Sequence, residues 1–328
     1  MRGARGVVLA DTGEVARGAT GKAMGGVRQQ FSSAPEVKLA QASLPLFREL
    51  GAPLFDPVGY VFLATTADGA TELERRLEAQ RGLGVPVERV DPSRVDGLRT
   101  DDVVGAVACW EDGVADPGGV TRELVRRAVG RGVEVRERTD ALALQADVVV
   151  VACGARSAAV AARRGVELPV RPLVRQLAEI GPVGAPERLP MVVEVETGFH
   201  FRRAGDRLRL AMGEPSPRWG EREEVDDALV SDWRARATHR YPPAADAPLQ
   251  AAWAGLYDMT PDAHPVIGPV GDGLYAACGF SGHGFMQSPA VGAAVAAELL
   301  GEEPPVDLEP YRLERFAGGA VFPETAVL

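Results

Sequence analysis

The sequence predicts a mixed α/β (α+β) protein in which a strand-and-helix domain of nucleotide-binding type is interrupted by a sheet-rich insertion. Three observations carry this expectation. Residues 274–279 read as a short buried strand, Gly279-Phe-Ser-Gly-His-Gly-Phe285 as a turn whose backbone comes close to a ligand, and residues 288–300 as a helix. Residues 7–11 form a second buried-type strand, and it ends in a carboxylate, Asp11. Between 170 and 212, strand-like segments at 170–180, 191–195, 198–203 and 207–212 are separated by Pro or Gly turns, as in an antiparallel sheet.

The remaining elements follow in order. Residues 35–50 place Val37, Leu39, Ala40, Leu44, Leu46, Phe47 and Leu50 at helical spacing, and Gly51 marks the end. Residues 58–65 are a strand, 70–83 a charged amphipathic helix and 85–90 another short strand. A helix over 118–129 leads into a strand at 133–135. The helix over 224–240 is stopped by Pro242-Pro243. No internal repeat or low-complexity tract interrupts the chain.

Composition narrows the function. At 328 residues the chain fits about two domains, and its 46% hydrophobic content is enough for sizeable cores. A net charge of −10 argues against nucleic acid and anionic membrane surfaces as partners. No apolar run approaches the roughly 20 residues of a membrane span, and no signal-peptide core opens the chain. Cys109, Cys153 and Cys278 stand singly without C-x-x-C spacing, which reads as buried thiols in a reducing compartment and gives a cytoplasmic expectation. No His/Cys/Asp/Glu cluster has ligand spacing, so no metal is expected.

The glycine turn at 279–285 and Thr260-Pro-Asp-Ala-His-Pro-Val-Ile-Gly-Pro269 together resemble the C-terminal signature of the FAD-dependent amine and amino-acid oxidoreductases. That superfamily includes D-amino-acid oxidase, glycine oxidase, sarcosine oxidase and dimethylglycine dehydrogenase. Upstream, Gly18-Ala-Thr-Gly-Lys-Ala-Met-Gly-Gly-Val-Arg-Gln-Gln-Phe31 is similar to the family's flavin-contacting segment, and Asp147-Val-Val-Val-Val-Ala-Cys-Gly-Ala-Arg-Ser157 to its second flavin-proximal strand and turn. The four matches occur in family order, nearest the sarcosine oxidase β-subunit group. The resemblance implies an FAD-binding Rossmann-like domain over 1–52, 104–169 and 247–328, with an inserted antiparallel-sheet substrate domain over 53–103 and 170–246. It also implies an N-terminal truncation: Met1-Arg-Gly-Ala-Arg5 matches only the tail of the phosphate-binding helix, so about 25 to 30 residues of the strand, glycine turn and helix are expected to be missing. Residues 136–146 are likewise shorter than the family's ribbon near the adenine.

Site residues follow from the resemblance. It assigns FAD contacts to Asp11, Thr20, Gly21, Gly25, Gly26, Val27, Gly154, Gly279, Gly282, His283, Gly284, Phe285 and Met286. Asp11 would hold the ribose, although a strand-end Asp also caps turns. Arg28 is placed next to the flavin, where a fixed guanidinium would stabilise its reduced form or hold a substrate carboxylate; a surface arginine is the plainer reading. His200 and Tyr257 would line the substrate side, with a core histidine as the alternative for His200. His283 would tune the flavin or simply pack and hydrogen-bond to backbone. His264 reads as structural, with Asp262 bracing its turn. Family members with covalent flavin attach it at positions that here are Lys22 and Gly255, so the FAD is expected to be non-covalent. Met286 stands where sarcosine oxidases place a carboxylate-binding lysine, which leaves the anchor to Arg28, to another residue, or absent.

The implied activity is oxidation of a secondary amine or amino acid, sarcosine-, glycine- or proline-like, to an imine by hydride transfer to FAD. Oxygen or an electron-accepting partner subunit would complete the cycle. The alternative is a truncated or non-catalytic homologue, or a scaffold subunit, that binds FAD weakly or not at all.

Overall fold

The computed structural model describes residues 4–271, 273–318 and 323–324. Its largest sheet has eight strands, in the order Leu249–Met259, Arg171–Ile180, Arg207–Ala211, His200–Ala204, Met191–Glu194, Tyr60–Ala64, Gly105–Cys109 and Val87–Arg89. Neighbours are antiparallel throughout, except that Met191–Glu194 runs parallel to Tyr60–Ala64. The sheet takes in Gly105–Cys109 and Leu249–Met259, which lie outside 53–103 and 170–246. Leu249–Met259 escapes a sequence reading because its alanines and glycine show no alternation, yet it pairs along the whole of Arg171–Ile180.

Both faces of this sheet are covered, so its central strand reads as a continuous apolar run. Tyr60, Phe62 and Ala64 pack with Val37, Phe47, Leu73 and Leu77 from the Ala34–Leu50 and Ala67–Gly82 helices. Val61 and Leu63 point the other way, into a core with Phe201, Trp233 and Tyr241. That second face is closed by the Asp227–Arg240 helix, whose start is fixed by Asp226 accepting from the Ala228 and Leu229 amides.

The nucleotide-type region consists of smaller sheets. Val266–Gly271, Leu274–Cys278 and Val149–Val151 form one, with the last pair parallel. Val8–Ala10 pairs in parallel with Glu134–Arg136, and Gly26–Val27, Gly113–Ala115 and Phe55–Asp56 make a third small sheet. The Gly284–Leu299 helix packs through Ala290, Val291 and Ala294 onto Ile267, Tyr275 and Ala277. No helix among the described residues is long and apolar enough to cross a membrane.

Two expectations need correction. The last helix begins at Gly284, four residues before the expected 288, and Pro289 lies inside it. Pro289 has no N–H to offer the Phe285 carbonyl; the Ser288 hydroxyl donates to that carbonyl instead, at 2.9 Å, so the helix survives the proline. Cys109 and Cys278 are buried, but Cys153 is exposed because it follows the edge strand Val149–Val151.

Fully buried Glu36 ties three elements together. Its carboxylate takes hydrogen bonds from His264 Nδ1 at 2.8 Å and from the Gln287 amide, joining the Ala34–Leu50 helix to the 260–269 segment and the last helix. Asp262 braces the same segment, accepting from the His264 amide at 3.2 Å and pairing with Arg315 at 2.9 Å. Removing the Glu36 carboxylate strands two buried donors, so Glu36→Ala should lower the unfolding free energy by about 3 kcal/mol. Urea denaturation measures this; a loss under about 1 kcal/mol would show that the node is dispensable.

Candidate active site

A cavity of about 660 Å3 lies between the large sheet and one side of the Gly284–Leu299 helix along its length. One wall is the segment 22–28, another the strand Leu249–Met259, and a third the glycine turn with its helix. At its far end it reaches Ala4, Val7, Val150, Gly154, Leu299 and Leu300, where apolar side chains are partly exposed.

The first wall is pinned by side chains from the large sheet. Three successive carbonyls are taken: Lys22 by Trp253 Nε1 at 2.9 Å, Ala23 by Arg209 Nη1 at 3.0 Å and Met24 by Arg202 Nε at 2.6 Å. Further along, the carboxylate of buried Asp112 accepts from the Gln29 amide N–H at 3.0 Å, from Gln29 Nε2 at 3.0 Å and from Gln30 Nε2 at 3.2 Å. Burial pushes the Asp112 carboxyl up to about 6 against the pull of those donors. Gly26 lets this wall sit close to the sheet, since a Cβ there would lie 1.7 Å from the Tyr60 hydroxyl oxygen.

The opposite wall is the turn 279–284. Asp258 Oδ2 accepts from the Gly279 N–H at 2.7 Å, and the Asp258 carbonyl accepts from the Ser281 N–H at 3.1 Å. Gly282 has φ +94°, and a Cβ there would meet the Tyr257 ring at 2.3 Å, so the turn lies directly against Tyr257. His283 occupies the N-cap position without a side-chain cap bond, and the helix's first N–H groups, which have no intrahelical acceptor, aim positive potential at the cavity.

Arg28 is buried, donates to the Gln30 carbonyl and lies 4.1 Å above the Phe31 ring. Phe31 meets the His283 ring edge-on at 4.9 Å, giving an Arg28–Phe31–His283 stack. Burial, helped by Arg28, pushes His283 down to about 3, and its ring nitrogens make no hydrogen bond among the described residues. His200 is pushed down to about 4, by burial first and by Arg28 and Arg175 besides. Its Nδ1 lies 2.8 Å from the Gly198 carbonyl, which can only accept, so Nδ1 carries the proton and Nε2 is bare.

Of the residues singled out from sequence, Thr20, Gly25, Gly26, Arg28, Gly154, His200, Tyr257, Gly282, His283, Gly284, Phe285 and Met286 line this one cavity. Asp11, Gly21, Val27 and Gly279 do not line it. The Asp11 carboxylate accepts from the Gly13 amide at 2.7 Å, a turn-capping contact. Gly21 is packed so that a Cβ would meet the Ala16 carbonyl at 2.2 Å, Val27 is in the core, and Gly279 fits against Thr260. Lys22, paired with Glu223, and Gly255 also line the cavity. Sequence reasoning missed Tyr60 and Arg175. Tyr60 is hidden in an apolar run, but Arg175, an arginine in the middle of the strand Arg171–Ile180 after Leu173 and Val174, was a readable signal.

The cavity suits a flavin: two glycine-built walls, a helix N-terminus and a buried guanidinium converge on a space of the size small-molecule sites use. Comparisons with known proteins agree. A model of the family described as FAD dependent oxidoreductase (DAO) matches residues 2–299. The chain is 28% identical to glycine oxidase of Geobacillus kaustophilus (strain HTA426), over 95% of this chain and 91% of that protein. It is 29% identical to FAD-dependent oxidoreductase domain-containing protein 1 of Bos taurus, over 95% of this chain and 79% of that one. Among solved structures, L-proline dehydrogenase from P. horikoshii superposes with TM-score 0.89 at 24% identity, covering 97% of this chain and 93% of its own. The Geobacillus kaustophilus glycine oxidase structure superposes with TM-score 0.84 at 26% identity, covering 94% and 92%.

The two depressed histidines have a measurable consequence. Below about pH 6.5 the unfolded chain protonates these imidazoles while the native state does not, so stability falls as pH drops from about 6.5 toward about 4. Asp112 acts oppositely, its native carboxyl holding a proton that the unfolded one loses between about pH 4 and 6. Comparing His200→Phe with the parent isolates one histidine. Its stability should depend on pH less steeply over pH 4.5–6, by about 1 kcal/mol per pH unit. Parallel curves in urea titrations would mean that His200 is protonated in the native state.

Proposed function

Because the chain belongs to the FAD dependent oxidoreductase family, we propose that it oxidises the CH–NH bond of a secondary amine or amino acid to an imine, which water then hydrolyses. The observation that carries this reading is the convergence of Gly25–Gly26, Gly282–Gly284 and a helix N-terminus on one cavity that also holds Arg28, His200 and Tyr257. Bound FAD supplies the hydride acceptor for the substrate α C–H. The segment 24–28 and the turn 282–286 would hold the ring, and the Ala4, Val7, Val150 and Gly154 end would take the nucleotide portion.

The chain's own residues orient and polarise. The N-terminal N–H groups of the Gly284–Leu299 helix and Arg28 favour negative charge on that side of the cavity. His200 presents a bare Nε2; with its pKa near 4 it accepts a hydrogen bond from a substrate amine N–H at neutral pH without keeping the proton. The Tyr257 ring and the turn built around Gly282 shape the apolar wall. The substrate must react as the neutral amine, whose lone pair forms the C=N bond as the C–H electron pair leaves, so its ammonium proton is given up to solvent before that step and no strong general base is needed.

Screening glycine, N-methylglycine, proline and D- and L-alanine with FAD-loaded protein and an electron-accepting dye tests the reading. Turnover of at least one, with the matching oxo acid or aldehyde as product, is the expected result; a loaded protein inert toward all of them and toward simple secondary amines refutes it. Neither the Lys22 amine nor Gly255 can form a thioether or histidyl link, so acid should release the flavin completely. Flavin fluorescence that stays with denatured protein on a gel would contradict the non-covalent assignment.

A further inference from the structure

We propose that Arg175, not Arg28, is the anchor for a substrate α-carboxylate, which makes this an amino-acid site more than an amine site. The inference rests on the oxidation reading above and assigns a residue that the sequence motifs leave unmarked. Arg175 lies in the Arg171–Ile180 strand directly opposite Gly255 on Leu249–Met259. Its guanidinium leans along the sheet toward Tyr257, the diagonal neighbour, and its centre lies 5.6 Å from that ring, while the space over Gly255 is taken by the Lys22 side chain. Both Arg175 and Gly255 line the cavity.

The other cations of the cavity are committed. Lys22 pairs with Glu223, and Arg28 donates to the Gln30 carbonyl while stacking on Phe31. Arg175 differs: its Nε and Nη1 are buried and make no hydrogen bond among the described residues. A buried charged donor without an acceptor is costly, and an acceptor arriving with the ligand removes the cost. The charge balance points the same way. Among the described lining residues Lys22, Arg28 and Arg175 stand against one carboxylate, Asp258, which is held by the Gly279 N–H at 2.7 Å. An anionic group entering beside Tyr257 would meet Arg175, with the bare Nε2 of His200 left for the amine.

The test uses two flat probes that differ in charge, 2-furoate and furan-2-carboxamide, titrated calorimetrically into FAD-loaded protein. The parent should bind furoate more tightly than the amide, and Arg175→Met should weaken furoate at least about tenfold while changing the amide less than about threefold. Arg175→Lys should recover part of the difference, and Arg28→Met should leave the furoate-to-amide ratio unchanged. Equal binding of the two probes by the parent overturns the proposal without any variant, as does loss of the preference in Arg28→Met but not in Arg175→Met. Flavin content of each variant reports folding. A parent that prefers furoate through Arg175 yet oxidises no amine would keep the carboxylate site and refute the oxidation reading.

Discussion

The first wall of the cavity belongs to the segment 22–30, whose backbone is fixed in place by side chains from elsewhere in the chain. Trp253, Arg209 and Arg202 take the carbonyls of Lys22, Ala23 and Met24, and the buried Asp112 carboxylate gathers Gln29 and Gln30. Between these anchors Gly25, Gly26 and Arg28 face the cavity. A segment with so little regular structure of its own would be the first to open without these contacts, because only external hydrogen bonds fix its backbone. The role of Arg28 depends on that fixation, since a guanidinium is useful beside a ring only when its position is set in advance.

The facing wall uses a different device. Its backbone is folded tightly by positive-φ glycines and carried by a helix whose own core contacts are small alanines and valines. Small residues bring the helix close to the sheet below, so its N-terminal dipole reaches the cavity at short range. Buried, neutral His200 and His283 complete the lining without adding charge, which leaves the electrostatics to the arginines and the helix. Arg28 and Arg175 both bear on His200, and their joint presence gives the cavity its positive character.

Much of this was legible in the sequence because it is local. The strand, glycine turn and helix from 274 onward, the Ala34–Leu50 helix with its Gly51 stop, and the four strands between 171 and 211 follow from periodicity and turn residues within short windows. The helix start was misplaced because Pro289 reads as a boundary, and the Ser288 hydroxyl that rescues it is visible only in three dimensions. Asp112 was illegible for a related reason: in Glu111-Asp-Gly113 it reads as a turn carboxylate, while its partners lie more than 80 residues away. Tyr60 sits in a strand buried on both faces, where nothing separates a core tyrosine from a cavity one. Arg175 was the avoidable miss, since an arginine in the middle of a mostly buried strand asks for a partner.

The dependence of the cavity on the pinned segment can be measured by titrating FAD into apoprotein of the parent and of Asp112→Ala. Loss of the carboxylate frees Gln29 and Gln30, so flavin affinity should fall by at least roughly tenfold while the cooperative unfolding transition persists. Unchanged affinity in Asp112→Ala would show that residues 22–30 hold their shape unaided, and the account of how this cavity is built would fail.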